Sequence, residues 1–332
     1  MKPFEYVRPS TIREAIELVA SNPKAQFIAG GTNLIDLMKH NIAAPEKLVD
    51  INHLPLKKIE KRDGFLRIGA LALNSEVASH KRIRDNHPLL AQALHAGASG
   101  QLRNMATVGG NLLQRTRCPY FYDRAFPCNK RIPGSGCGAL GGINRMHAIF
   151  GVPEKPDPRS CIAVHPSDLS VALSALEATV LVQGPRGERQ IPMADFHRLP
   201  NNRPEQDTTL SNGELITAVE IPDAVFPKHV QYLKVRDRAS YAFALVSVAA
   251  ALDIDQNRIK TVRLAMGGVA HKPWRLFEAE KMLTGQAVSE TVFRQVAEAA
   301  MQGARAFEHN AYKLRVAPNA IVQALKLAAG LS

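Results

Sequence analysis

All four cysteines of this 332-residue chain fall between positions 118 and 161, spaced Cys118-x9-Cys128-x8-Cys137-x23-Cys161. Four thiols in one stretch admit several chemistries. Two disulfides are one, but a chain of this size can bury an ample core, and no apolar signal segment opens "MKPFEYVRPSTIREAIELV" to suggest an oxidising compartment. A structural zinc site usually shows closely spaced C-x-x-C-type pairs, and these are absent. An iron–sulfur cluster needs four thiolates and tolerates varied spacing. Four free buried thiols complete the set. The surroundings favour an anionic cluster. Arg115, Arg117, Arg124, Lys130 and Arg131 face a single acid, Asp123, between positions 115 and 137. Gly134, Gly136 and Gly138 can offer amide N–H groups to sulfur, and Tyr120, Phe121 and Phe126 can exclude water.

A second chemistry-bearing feature occurs twice. "AGGTNL" (29–34) and "TVGGNL" (107–112) each place a glycine pair where an apolar strand is expected to meet a helix. Glycine admits positive φ and close approach, so successive N–H groups can form an anion nest at a helix start. Neither is a G-x-G-x-x-G fingerprint or a Walker loop. Taken singly, a glycine pair before a helix is most often plain turn chemistry. Two in similar contexts are expected to grip one diphosphate from two sides, with Thr32, Asn33, Thr107 and Asn111 adding side-chain donors.

The elements that must position these groups follow from periodicity. A strand at "FEYVRP" precedes a helix capped at Ser10 or Thr11, with Glu14 three residues after Thr11 and Ile12, Ala15, Ile16 and Val19 on one face. A strand ends at Ala29 and a helix begins near Thr32 or Asn33. Strands flank the Asp63-Gly64 turn, a helix is capped near Asn74 or Ser75, and "HPLLAQALHAGAS" is helical. "RNMATVGGNLLQ" reads as strand and turn. A helix starts near Ser167, a hairpin turns at Gly184–Gly187, and "ELITAVEIP" is a strand ended by Pro222. Pro227 marks a domain boundary. Beyond it lie three strands and then helices near 275–283, 289–304 and 318–329, a separate small α+β unit. His53, His87, His147 and His165 are read as surface or capping residues, and Trp274 as packing.

At these residues the sequence resembles the FAD-binding subunits of the xanthine dehydrogenase/aldehyde oxidase group of molybdenum hydroxylases. The resemblance rests on "FIAGGTNLIDLMK", "QLRNMATVGGNLLQ", "HPSDLSVALSALEATV", "GELITAVEIP" and "KPWRLFEAEKMLTGQ", and it covers essentially the whole chain. The cysteine loop is similar to the subset whose flavin subunit carries an additional [4Fe-4S] cluster, the periplasmic aldehyde oxidoreductases nearest among them. The resemblance implies an α+β fold. Residues 1–226 would form a two-subdomain FAD-binding domain of the vanillyl-alcohol-oxidase (PCMH) type, divided at about 53/54 and carrying the iron–sulfur loop at 115–161. Residues 227–332 would form a C-terminal α+β domain. Gln26, Phe27, Ile28, Ala29, Gly30, Gly31, Thr32, Asn33 and Leu34 would hold the FAD pyrophosphate. Arg103, Thr107, Gly110 and Asn111 would form a second loop around it. Asp168 would bind the flavin's ribityl or adenosine hydroxyls, although a first-turn acid is equally at home there for the helix dipole. Ile216 and Lys234 would lie by the isoalloxazine. Cys118, Cys128, Cys137 and Cys161 would ligate the cluster.

The implied function is electron transfer within a heterotrimer. Electrons taken from an aldehyde at a large molybdenum-cofactor subunit would pass through a small [2Fe-2S] subunit to FAD here, and on to an external acceptor such as ferredoxin. No residue of this chain need act as nucleophile or general base, since the cofactors carry the chemistry. Export to the periplasm is expected alongside a signal-bearing partner, with the cytoplasm as the alternative.

Composition bounds the competing classes. Hydrophobic residues make up 45% and charged residues 22%, as in an ordinary soluble globular protein. No apolar run is long enough to span a bilayer. The net charge of +12 is spread along the chain, and no nucleic-acid-binding motif accompanies it, so no nucleic-acid partner is expected. The alternative class is a basic nucleic-acid-binding or redox-sensing protein with a four-cysteine zinc site. A third is a stand-alone flavin oxidase with disulfides.

Overall fold

The computed structural model describes residues 1–223 and 226–331. Three sheets organise the chain. Strands β1 (Glu5–Val7), β2 (Ala25–Ile28) and β3 (Lys47–Asp50) make a small parallel sheet in the order β1-β3-β2. The helix Ile12–Ala20 crosses between β1 and β2. Thr11 Oγ1 accepts from Glu14 N at 3.1 Å, and the Glu14 carboxylate returns to Ser10 N at 2.7 Å. These bonds satisfy amides that the first turn leaves free. Ala15, Ile16 and Val19 are buried against the sheet.

The second sheet is antiparallel: β4 (Ile59–Arg62), β5 (Phe65–Gly69), β6 (Thr179–Gly184), β7 (Gly187–Pro192) and β8 (Leu215–Pro222), in the order β4-β5-β8-β6-β7. Helices Pro88–Ala96 and Asp168–Ala175 belong to its core, where Ile68, Leu89, Leu90, Leu173 and Val180 are fully enclosed.

The third sheet holds β9 (Val230–Val235), β10 (Val246–Asp255), β11 (Arg258–Gly267) and β12 (Trp274–Arg275), in the order β12-β11-β10-β9. Both of its faces are covered. Along β10, Ala249 and Ala251 join the core of the second sheet, while Val248, Ala250 and Leu252 join a separate core with helices Phe277–Leu283, Glu290–Ala299 and Lys313–Ala329. Alternating positions point to opposite faces of a strand, so the alanine-rich run of β10 lets the second sheet's helices approach closely. Among the described residues no helix is long and apolar enough to cross a membrane.

The cysteine-bearing segment 115–161 is pinned to this third unit. The N–H groups of Ile149 and Phe150 both donate to Val269 O, at 2.9 and 3.0 Å, and Arg305 N donates to Ile149 O. Phe150 stacks on Trp274 with centroids 5.0 Å apart, which makes Trp274 a packing residue, as expected.

Three readings are corrected. "TVGGNL" is not a strand and turn: Val108–Leu112 is a one-turn helix capped by Thr107. The last helix begins at Lys313, and Pro318 lies inside it. Leu314, whose carbonyl loses its partner there, is on the exposed side where water can replace it. His147 and His165 are buried, not surface residues, whereas His87, also buried, stands at the N-cap of the helix Pro88–Ala96 as its capping reading expects.

Candidate functional site

The end of β2 carries the first glycine pair into a cleft. Gly31 takes φ +71°, a value only glycine adopts freely. A Cβ on Gly30 would stand 1.8 Å from Met105 O, so this position brings the two glycine loops into contact. The amide N–H groups of Gly30, Gly31, Thr32 and Asn33 donate to no group among the described residues. The side chain of Asn33 sharpens the picture. Its Oδ1 accepts from Arg115 N at 3.0 Å, while its Nδ2 is buried without a partner. Free amides and an orphaned buried donor at a helix start make an anion nest.

The second glycine pair works differently. Val108 N donates to Ala72 O, Gly109 N to Ala70 O, Gly110 N to Thr107 Oγ1 and Asn111 N to Thr107 O. These amides are already spent, so the second loop is no anion nest. Its glycines serve packing, since a Cβ on Gly109 would lie 3.2 Å from the Ala70 Cβ. The expectation of two equivalent grips gives way to one nest and one close-packed wall.

The cleft has two lobes that meet at Thr32, Asn33 and Gly110. One lobe, about 600 Å³, is lined by Gln26, Phe27, Ile28, Ala29, Gly30, Gly31, Leu34, Thr107 and Ile216. The other, about 710 Å³, is lined by Arg103, Asn111, Asp168 and Lys234, together with Arg238, Tyr241 and Phe243. A bent dinucleotide with its diphosphate at the waist fits this shape, one half in each lobe. Ile216 and Lys234, expected beside one ring system, lie in different lobes.

Several side chains are tied to protein partners. Asp168, the first residue of its helix, accepts from Tyr232 OH at 2.7 Å and from Lys234 Nζ at 2.7 Å. It therefore bolts β9 to the cleft before it meets any ligand. Arg103 Nη1 donates to Gly97 O at 2.7 Å, and Asn111 Oδ1 accepts from Ser167 Oγ at 2.7 Å. Sequence reasoning missed Asn74 and Arg117. Both line the second lobe, and Asn74 Oδ1 and Arg117 Nε are buried without partners. Asn74 was expected only as a cap, and nothing local distinguishes it. For Arg117 the available signal was its position one residue before Cys118.

Cys118, Cys128, Cys137 and Cys161 line one small pocket with about 10 Å³ of free space. Burial pushes the thiols of Cys118 and Cys161 up to about 12, and that of Cys137 upward. Lys130, itself buried, opposes this at Cys161. Among the described residues no three His, Cys, Asp or Glu side chains converge closely enough to hold a single metal ion. Behind the pocket Lys130 pairs with Asp207, and Arg115 Nε donates to the same carboxylate at 2.7 Å. Burial alone would raise the Asp207 pKa, but the two cations hold it well below the usual carboxylate range.

Comparison with known proteins agrees with this geometry. Residues 2–224 match the FAD-binding domain in molybdopterin dehydrogenase, and residues 231–328 match the CO dehydrogenase flavoprotein C-terminal domain. The aldehyde oxidoreductase FAD-binding subunit PaoB of Escherichia coli (strain K12) is 54% identical, over 88% of this chain and 90% of that protein. The glyceraldehyde dehydrogenase medium chain of Sulfolobus acidocaldarius is 28% identical, over 89% and 85%. In fold the chain superposes on a chain of carbon monoxide dehydrogenase from Hydrogenophaga pseudoflava with TM-score 0.77 at 24% identity, covering 99% of this chain and 98% of that one. With both family models matched in order, an anion nest at the waist of a two-lobed cleft and a relative 54% identical, the chain belongs to the FAD-binding subunits of the molybdenum hydroxylase family.

Proposed function

We propose that this chain is the electron-transfer subunit of a molybdenum-containing aldehyde oxidoreductase, passing electrons from a molybdenum-cofactor subunit and a [2Fe-2S] subunit through FAD to an external acceptor. The observation that carries it is the nest at Gly30–Asn33, where free amides and Asn33 Nδ2 face the waist of the cleft. The aldehyde substrate is carried over from the 54% identical relative, whose name states that activity. FAD supplies the electron-transfer chemistry when bound. The chain's own residues hold and shape it. The nest neutralises the diphosphate, Gly30 keeps the two loops closed, and the Asp168–Lys234 pair fixes the third sheet against the cleft.

The same proposal includes a [4Fe-4S] cluster held by Cys118, Cys128, Cys137 and Cys161. Four thiols line one pocket, the ligand number that an iron–sulfur cluster takes. Lys130 and the neighbouring arginines offset its negative charge.

The test is anaerobic purification of the assembled complex with iron, sulfide and flavin analysis, followed by addition of an aldehyde. Bleaching of a bound flavin that requires the partner subunits supports the proposal, as does iron lost in Cys161→Ser. A flavin-free chain, or flavin reduced by aldehyde with no partner present, overturns the electron-transfer reading. Zinc in place of iron overturns the cluster.

A further inference from the structure

Cys118 and His147 are 29 residues apart in the cysteine-bearing segment, yet His147 Nε2 stands 3.1 Å from Cys118 Sγ. The imidazole has one other polar atom, Nδ1, which is buried without a partner. A neutral ring carries one N–H and one bare nitrogen. A metal-bound thiolate can only accept, so the proton belongs on Nε2, and Nδ1 is the bare nitrogen. This tautomer makes the one available hydrogen bond and strands no donor.

The backbone that carries the ring is held in place. His147 N donates to Asn144 O at 3.0 Å. Its carbonyl accepts from Lys313 Nζ at 2.9 Å and from Asn310 Nδ2 at 3.3 Å. Lys313 is fully buried and also donates to Gly268 O at 2.7 Å. The C-terminal unit thus holds the histidine backbone from two side chains, and the ring lies beside Tyr120 with centroids 6.2 Å apart.

We propose that His147 is a positioning residue for the iron–sulfur cluster: its Nε2–H donates to Cys118 Sγ and makes the cluster easier to reduce. A hydrogen bond to sulfur stabilises the more negative, reduced state more than the oxidised one, and such bonds are a lever on reduction potential. The inference rests on the cluster reading given above.

The experiment is an EPR-monitored redox titration of the whole complex, with iron and flavin measured on each sample. At the potential where the wild-type cluster is half reduced, His147→Leu is expected to lower the ratio of reduced to oxidised cluster about fivefold, the effect of one hydrogen bond. The flavin midpoint is expected to stay in place. His147→Gln, whose amide N–H can reach the same sulfur, is expected to recover most of the shift. A wild-type complex labelled with 15N-histidine adds a readout that needs no variant: a nitrogen coupling to the reduced cluster is expected. Full iron in His147→Leu with an unmoved midpoint would overturn the inference, as would absence of the 15N coupling. A wild-type complex without cluster iron would overturn the cluster reading and the inference with it.

Discussion

Lys234 Nζ stands 2.7 Å from Asp168 Oδ2, with both side chains almost fully enclosed. Lys234 belongs to the third sheet and Asp168 to a helix beside the second, so one buried ion pair joins the two units at the cleft. Tyr232 OH completes the carboxylate's shell. Removing one partner of such a pair leaves an uncompensated charge, at a cost of roughly 3–5 kcal/mol, whereas removing both costs far less. Lys234→Met is therefore expected to lower unfolding stability by about 3 kcal/mol, and the double variant Asp168→Asn/Lys234→Met to recover most of it. A double-mutant cycle by denaturant unfolding measures this. Additive losses would show that the pair is not coupled.

Gly30→Ala tests the contact between the two loops. The new Cβ meets the Met105 carbonyl, so the loops must part and the nest distorts. Overpacking of this kind costs about 1–3 kcal/mol; borne by the bound state, that weakens FAD binding by roughly fivefold to hundredfold. Gly100→Ala, with no heavy atom within 4 Å of the added Cβ, is the control. Flavin fluorescence titration of the apo-subunit compares them, and equal affinities would refute the account.

Asn33→Asp separates binding from folding. The remaining oxygen still accepts from Arg115 N, as Asn33 Oδ1 does now. The orphaned Nδ2 donor becomes an anion facing the diphosphate. Loss of a hydrogen bond to a charged group is worth about 1.5–3 kcal/mol, so FAD affinity is expected to fall roughly tenfold to hundredfold with little change in melting temperature. Retained affinity would remove Asn33 from the nest.

His197 sets an acid limit on stability. Burial, the largest cause, pushes its pKa down to about 4, and the neighbouring His165 is pushed well below 6.5 for the same reason. Asp207 acts the other way on both rings, but more weakly. Unfolded, each titrates near 6.5. Between about pH 6.5 and pH 4 the unfolded chain thus binds more protons, and stability falls as pH falls through that window. Above pH 6.5 the contribution is complete. His197→Gln, which can keep a donor toward Leu112 O (now 2.8 Å from Nε2), is expected to flatten the slope of stability against pH between 6.5 and 4. Calorimetry across that range measures it. An unchanged slope would mean that His197 does not titrate on unfolding.

What the sequence revealed of this fold depended on whether the signal was local. The capped helix at Ile12–Ala20, the strand into Gly30-Gly31 and the hairpin at Gly184–Gly187 were legible because their turn chemistry lies within a few residues. "TVGGNL" misled because a glycine pair looks the same whether its amides are free or spent, and what spends them includes carbonyls at Ala70 and Ala72. The start at Lys313 was hidden by Pro318, a residue that usually opens helices. The sixteen cofactor residues named from the resemblance all line the cleft. The partners that tie some of them down, Arg115 to Asn33 and Lys234 to Asp168, are 82 and 66 residues away in sequence and leave no trace in any short pattern. The cysteine set was readable as four thiols, but not their common pocket or the histidine beside Cys118.

The clamp of Lys313 and Asn310 on His147 also dictates an order of events in biosynthesis. The last cysteine, Cys161, is made 152 residues before Lys313, yet carbonyls of the segment between Cys118 and Cys161 accept from donors supplied by the final stretch of the chain, Lys313 Nζ and Asn310 Nδ2 to His147 O and Arg305 N to Ile149 O. While the nascent protein still lacks that stretch, the backbone of His147, whose ring lies beside Cys118, is therefore without its clamp. Completion of the terminal stretch supplies that clamp, so the surroundings of Cys118 become final only when the last residues of the chain are in place.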